Sequence, residues 1–222
     1  YILVEPAVPG NIGAAARAIK TMGFSDLRLI NPCDHLSEEA RMLAHGSNEI
    51  LENAKVYPTL TKALKGIDLA VATTAKRRQA RVDYLPVKDL PGFLDNKGKS
   101  ILSAGMVFGR EESGLSNDEI RICDIVSSVP LARPYPSLNL GQAVMIFAYT
   151  LSGYALQAEL PGTLKIKDQE GFRAMMDKAK RILTEMEFTN NPALYNRLLE
   201  RLASLGEDDV HLVHSLLKRF ED

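Results

Sequence analysis

A parallel α/β sheet covered by helices on both faces, followed by a helical extension, is the fold this sequence predicts. Three observations carry that prediction. Short apolar runs at residues 1–4, 27–30, 67–72, 101–108 and 125–129 are rich in Val and Ile and mostly lack polar alternation, the pattern of strands buried on two faces. Helix-compatible segments separate them, and strands that alternate with helices build a parallel sheet. Beyond the Pro161-Gly162 break, apolar residues recur at helical spacing as far as Phe220.

In chain order, the first run leads through Pro9-Gly10-Asn11-Ile12-Gly13 into a helix of small residues. Ile12, Ala15, Ala16, Ile19 and Met22 make its apolar stripe, and Gly23 supplies the C-terminal stop. Ser37 with Glu38 and Glu39 opens a second helix, and residues 60–64 form a short third before Gly66. Ser116 and Glu119 have the spacing of a capping box, so a helix starts behind the 101–108 strand and its turn. A long apolar helix covers residues 138–156, with Ser137 or Asn139 as its cap. The tail carries apolar stripes from Phe172 to Met186, from Leu194 to Leu202 and from Val210 to Phe220, the signature of packed amphipathic helices. The chain therefore divides into a domain over residues 1–160 and an extension over residues 161–222.

At 222 residues with 45% hydrophobic and 25% charged content, the chain has the make-up of a folded protein and not of a disordered one. Its formal charge of -1 excludes a uniformly basic nucleic-acid coat but leaves room for a local basic patch. Cys33 and Cys123 lack ligand-like spacing, so neither a metal site nor a disulfide framework is expected, and both read as reduced cytoplasmic residues. No apolar stretch is long enough to span a membrane.

Ligands of parallel sheets sit beyond the carboxyl ends of the strands, which singles out the loops at residues 5–13, 108–115 and 129–140. The first resembles a polar-ligand loop feeding a helix N-terminus, and Arg17 lies one turn beyond Gly13. In the second, Gly109 and Gly114 permit close backbone approach, while Glu111 is placed to accept hydrogen bonds from a ligand, from loop N–H groups or from Arg17. The third, stiffened by Pro134 and Pro136, brings Ser137, Leu138 and Asn139. Lys76, Arg77, Arg78 and Arg81 follow the third apolar run without an intervening acid, and phosphate contact would make RNA affinity at this loop salt-dependent.

Together these loops resemble the SpoU, or TrmH-like, branch of the SPOUT RNA methyltransferases, and are most similar to its LasT- and TrmJ-like members. The first motif stands here as Asn11, Gly13 and Arg17, the second as Phe108, Gly109, Glu111, Gly114 and Leu115, the third as Ser137, Leu138, Asn139 and Leu140. The resemblance implies a parallel sheet whose C-terminal part, residues 129–156 here, is threaded into a trefoil knot, a topology that ordinary chain-connection rules exclude. It further implies S-adenosyl-L-methionine as cofactor, held largely by backbone at Val107, Gly109, Val129, Leu131, Leu138 and Asn139. The implied active unit is a homodimer in which Arg17 reaches toward the partner's cofactor, and the implied reaction is ribose 2′-O-methylation of RNA, tRNA in the preferred reading.

Arg17, Asn11, Glu111, Ser137 and Asn139 are then the expected catalytic set, with Arg17, Lys76, Arg77, Arg78 and Arg81 contacting RNA. A guanidinium offers only donors and holds its proton past pH ~12, so Arg17 is expected to bind phosphate or developing oxygen charge instead of serving as the base. Glu111 would orient Arg17 or neighbouring loop donors. Other readings are an rRNA methyltransferase, a catalytically silent RNA-binding protein of the same fold, a base methyltransferase, and a nucleotide-binding enzyme unrelated to RNA.

Overall fold

The computed structural model describes residues 1–75, 83–133, 137–158 and 171–220. Along the described chain the elements are β1 (Ile2–Val4), α1 (Pro9–Thr21), β2 (Arg28–Ile30), α2 (Glu38–Ala44), α3 (Asn48–Glu52), β3 (Lys55–Tyr57), α4 (Leu60–Ala63) and β4 (Leu69–Thr73). They continue with β5 (Leu85–Pro86), α5 (Leu90–Lys97), β6 (Ala104–Phe108), α6 (Asn117–Ile122), β7 (Ile125–Ser128) and α7 (Leu140–Ala158). The extension supplies α8 (Phe172–Glu185), α9 (Pro192–Ala203) and α10 (Glu207–Lys218).

The strands form one seven-stranded sheet in the order β3-β2-β1-β6-β4-β7-β5, and every pairing is parallel. Side chains alternate between its faces. Leu3, Leu29, Leu69, Val71, Met106 and Phe108 join one core with α1, α7 and α8. Ile2, Val4, Ile30, Ala70, Ala72 and Val107 join a second core with Leu60 of α4 and Ile120 of α6. Both faces are thus covered, which is why these strands read as continuous apolar runs.

Two strands and two helices lie outside the sequence expectation. β3 is the outermost strand on one side and largely exposed, Val56 at 53%, so it needs no apolar run. β5 closes the other edge with two residues, one of them Pro86, a residue that edges tolerate. The short α3 and α5 were likewise not anticipated, and α7 begins at Leu140 instead of Leu138. The capping box is present: Ser116 Oγ accepts from Glu119 N at 3.1 Å, and Glu119 Oε2 accepts from Ser116 N at 2.7 Å.

The extension packs on its own domain. Phe172 and Met175 of α8 are fully buried, as are Ala203 at the end of α9 and Val210 of α10. Two polar anchors fix the docking. Arg173 donates to Asp124 Oδ2 at 2.5 Å and to the Asp68 carbonyl at 2.6 Å, while Asp124, 4% exposed, also accepts from Ala70 N. Lys97, at the end of α5, has no exposed surface: its Nζ donates to the carbonyls of Ala203 at 2.7 Å and Leu205 at 2.5 Å and sits 4.4 Å from the Phe172 ring centroid. Burial pushes this ammonium down to about 8, with Asp124 pulling the other way. A cation at the C-terminal end of α9 meets the negative pole of that helix and two carbonyls, one of them on a fully buried residue. Lys97→Met keeps most of the volume but strands both acceptors, so urea denaturation is expected to show a loss of about 2 kcal/mol. An unchanged midpoint would mean that the clamp carries no stability.

Candidate active site

Three loops meet at the carboxyl end of the sheet. Glu111, just past β6, accepts hydrogen bonds from Ala7 N at 3.1 Å, Val8 N at 3.3 Å and Asn11 Nδ2 at 3.0 Å. Asn11 Oδ1 in turn accepts from Asn139 Nδ2 at 2.8 Å, and Asn139 Oδ1 accepts from Gly141 N at 2.8 Å, in the first turn of α7. One chain of hydrogen bonds, Glu111 to Asn11 to Asn139 to Gly141, therefore ties the loop after β1, the loop after β6 and the entry to α7. Each amide uses its donor on one neighbour and its acceptor on the other, an arrangement that an ionised carboxylate, which only accepts, cannot reproduce. Asn139 also caps its helix, as the sequence indicated, and its own N–H is satisfied by Gln142 Oε1 at 3.2 Å.

The turn between β6 and α6 is folded back on itself. A Cβ at Gly109 would lie 2.2 Å from the carbonyl carbon of Gly114 and from Leu115 N, so only glycine fits. Gly114 takes φ +68. Arg110 staples the turn: Nε donates to Glu5 at 2.8 Å, Nη1 and Nη2 donate to the two carboxylate oxygens of Glu119 at 3.0 Å, and Nη1 also reaches the Gly114 carbonyl. These carboxylates raise the guanidinium above its ordinary value, so it stays charged. The sequence reading did not include Arg110 in the site. Its partners lie one strand away and one turn ahead, and only Glu119, as part of the capping box, carried a local signal.

The folded turn and the strand ends form a cleft lined by Thr73 at the end of β4 with Thr74 and Ala75 following it, by residues 108–115, by Val129 and Leu131 after β7, and by Ser137, Leu138, Leu140, Ala143 and Phe147. Of the residues expected to hold the cofactor, Gly109, Val129, Leu131 and Leu138 line it. Val107 does not: its side chain is fully buried in the core beneath, and its strand only delivers Gly109. Asn139 does not line the cleft; it is exposed and takes part in the hydrogen-bond chain. Ser137 is exposed at the cleft. Thr73 to Ala75 went unnoticed in the sequence, although the end of an apolar strand on this edge was the available signal.

Arg17 lies elsewhere. It is exposed on α1, outside the cleft lining, and has no hydrogen bond or ion pair among the described residues. Six residues along a helix is about 600°, so it projects roughly 120° away from Asn11. Glu111 is engaged by loop donors and not by Arg17. Lys76, Arg77, Arg78 and Arg81 fall outside the described residues.

Burial pushes the Glu111 carboxyl up, but the hydrogen bonds from Asn11, Ala7 and Val8 outweigh it and leave the group below its ordinary value. A carboxyl lowered in the folded state adds stability above its unfolded pKa and loses it as pH falls through the folded one. Glu111→Gln is therefore expected to be less stable at pH 7 yet to decline more shallowly on acidification. Thermal unfolding midpoints between pH 7 and pH 3 check this; parallel curves for the two proteins would contradict it.

The residues at the cleft suit S-adenosyl-L-methionine in kind. Leu131 and Leu138, half-buried at the cleft, offer apolar surface to a flat ring, and the turn at Gly109 brings backbone to close range. Known proteins resemble this chain over nearly its whole length. The uncharacterized tRNA/rRNA methyltransferase LasT of Escherichia coli is 42% identical over 221 residues, 99% of this chain and 96% of that protein. The tRNA (cytidine/uridine-2′-O-)-methyltransferase TrmJ of Klebsiella pneumoniae is 33% identical over 99% of this chain and 95% of its own length. The crystal structure of TrmJ from Z. mobilis superposes with a TM-score of 0.69 at 26% identity, covering 100% of this chain and 98% of that one. The LasT C-terminal domain model matches residues 169–222, and the SpoU rRNA methylase model matches residues 1–149, the span that contains all three loops. With Glu111, Asn11 and Asn139 of its three motifs joined in one hydrogen-bond chain beside the cleft, the chain belongs to the SpoU rRNA methylase family.

Proposed function

We propose that this protein transfers the methyl group of S-adenosyl-L-methionine to a ribose 2′-oxygen of tRNA. The observation that carries the reading is the chain from Glu111 through Asn11 to Asn139, which fixes three family motifs around one cleft. The named activity of the TrmJ relatives, 2′-O-methylation of tRNA cytidine or uridine, supplies the substrate class.

When bound, the cofactor supplies an electrophilic methyl group on a sulfonium; the protein's work is orientation and charge placement. The turn at Gly109 and the apolar wall of Val129, Leu131 and Leu138 hold the ligand, while Asn11 and Asn139 keep the wall in register. Ser137, at the open lip, is placed to meet the incoming nucleotide. Arg17 binds the phosphate or the developing oxygen charge of that nucleotide, an electrostatic contribution of a few kcal/mol when preorganised. Its exposure and its outward direction support a homodimer in which each Arg17 serves the partner's cleft. Tyr149 and Leu156, 71% and 67% exposed, add unburied apolar surface on α7, the helix that packs against α1.

We take residues 1–160 as the methyltransferase domain, residues 161–222 as its docked extension, and the passage from β7 through α7 as the knotted segment. The return of α7 onto α1 and β6 supports that threading. Lys76, Arg77, Arg78 and Arg81 are assigned to RNA contact, and the site of action to the cytoplasm, where tRNA is modified. No described helix is long and apolar enough to cross a membrane.

Nucleoside mass spectrometry of tRNA and rRNA from cells with and without the gene tests the reading. Loss of one 2′-O-methylated nucleoside from the tRNA pool is expected. Loss confined to rRNA would move the substrate, loss of a base-methylated nucleoside would move the chemistry, and no loss at all would contradict the proposal.

A further inference from the structure

Resting on the cofactor reading above, the charges around the cleft carry one more step. The described residues lining it include only three charged side chains, Arg110, Glu111 and Glu112. Arg110 is saturated by Glu5 and Glu119, and Glu111 by Ala7, Val8 and Asn11. Glu112 is exposed at the cleft and has no hydrogen bond or ion pair among the described residues. Together with Glu5 and Glu119, which reach Arg110 from behind, the turn thus sets one guanidinium against four carboxylates, and a single carboxylate remains uncommitted.

We propose that Glu112 is a specificity-determining residue that favours the cationic methyl donor over its neutral product. At neutral pH S-adenosyl-L-methionine carries a net positive charge because of its sulfonium. After transfer the methyl carbon is bonded to the ribose oxygen, the hydroxyl proton has left, and sulfur keeps the electron pair of the broken bond as an uncharged thioether. S-adenosylhomocysteine is then a zwitterion with no net charge. An anion on the wall with no partner among the described residues attracts the first ligand and is nearly indifferent to the second. Product affinity drops relative to substrate affinity without any contact to the transferred group, which limits product inhibition.

Calorimetric titration of the full-length protein with S-adenosyl-L-methionine and with S-adenosylhomocysteine tests this independently of turnover. Glu112→Gln preserves shape and removes the charge. It is expected to weaken binding of the methyl donor by about three- to tenfold while leaving the product's Kd within about twofold. In the wild type, raising salt from 0.05 to about 0.5 M should shrink the gap between the two ligands by a similar factor. Equal weakening of both ligands, or no change in either, would overturn the proposal while leaving the cleft assignment intact. Wild-type protein that binds neither ligand would overturn the cleft assignment and this inference with it.

Discussion

Arg17→Ala is expected to slow methyl transfer by about 10²- to 10³-fold while changing the Kd for S-adenosyl-L-methionine by less than about twofold. The two halves of this result have separate origins. Arg17 is not part of the cleft wall and has no described partner, so its removal leaves the hydrogen-bond chain and the folded turn untouched. In the proposed role, what disappears is a donor to the nucleotide, and such donors act on developing charge, not on ground-state binding of the cofactor. Arg17→Lys keeps the charge but loses the planar fork, and should recover only a small part of the rate. Single-turnover rates with saturating methyl donor, alongside calorimetric binding, separate the terms. An R17A enzyme with wild-type single-turnover rate would remove Arg17 from the mechanism. In the proposed homodimer, chains of Arg17→Ala mixed with chains of Gly109→Ala should regain activity, because one cleft would then have an intact turn and receive Arg17 from its neighbour.

The second large effect belongs to Gly109→Ala. Its Cβ would meet backbone atoms of Gly114 and Leu115 at 2.2 Å, and backbone cannot swing aside as a side-chain tip can. The two arms of the turn must separate, and the adjoining Arg110 and Glu111 move with them, loosening the grip on Glu119, Asn11 and the loop after β1. Overpacking of this kind costs about 1–3 kcal/mol of stability. Because the same backbone forms the cleft, binding of S-adenosyl-L-methionine should fall by at least about 100-fold, beyond what the stability loss explains in a protein that stays folded at the assay temperature. Circular dichroism and calorimetry on one sample distinguish the two contributions. Tight binding by a folded G109A protein would show that the turn is not the cofactor's seat.

Much of this was legible from local chemistry. Strands covered on both faces announce themselves as apolar runs, so β1, β2, β4, β6 and β7 were readable, whereas β3, exposed at an edge, and β5, two residues long, leave almost no hydrophobic trace. Gly109, Glu111, Asn11 and Asn139 stood out by residue type and position. Their connections did not: Asn11 meets Glu111 across 100 positions and Asn139 across 128, and no local spacing encodes which amide faces which. Arg110 illustrates the same limit, since a neighbouring Arg and Glu read as a pair along the chain while the fold sends Arg110 to Glu5 and Glu119 and Glu111 to the first loop. The docking of the extension was open for a related reason. Helical stripes reveal that a face is buried, but the burial of Lys97 against the end of α9 depends on the tertiary structure alone.

The most direct measurement is nucleoside mass spectrometry of unmodified tRNA after incubation with the purified protein and methyl-deuterated S-adenosyl-L-methionine. The account predicts one labelled 2′-O-methyl nucleoside, formed by the wild type and absent with Gly109→Ala. Label on a base, or tRNA left unlabelled by a protein that binds the methyl donor, would contradict it.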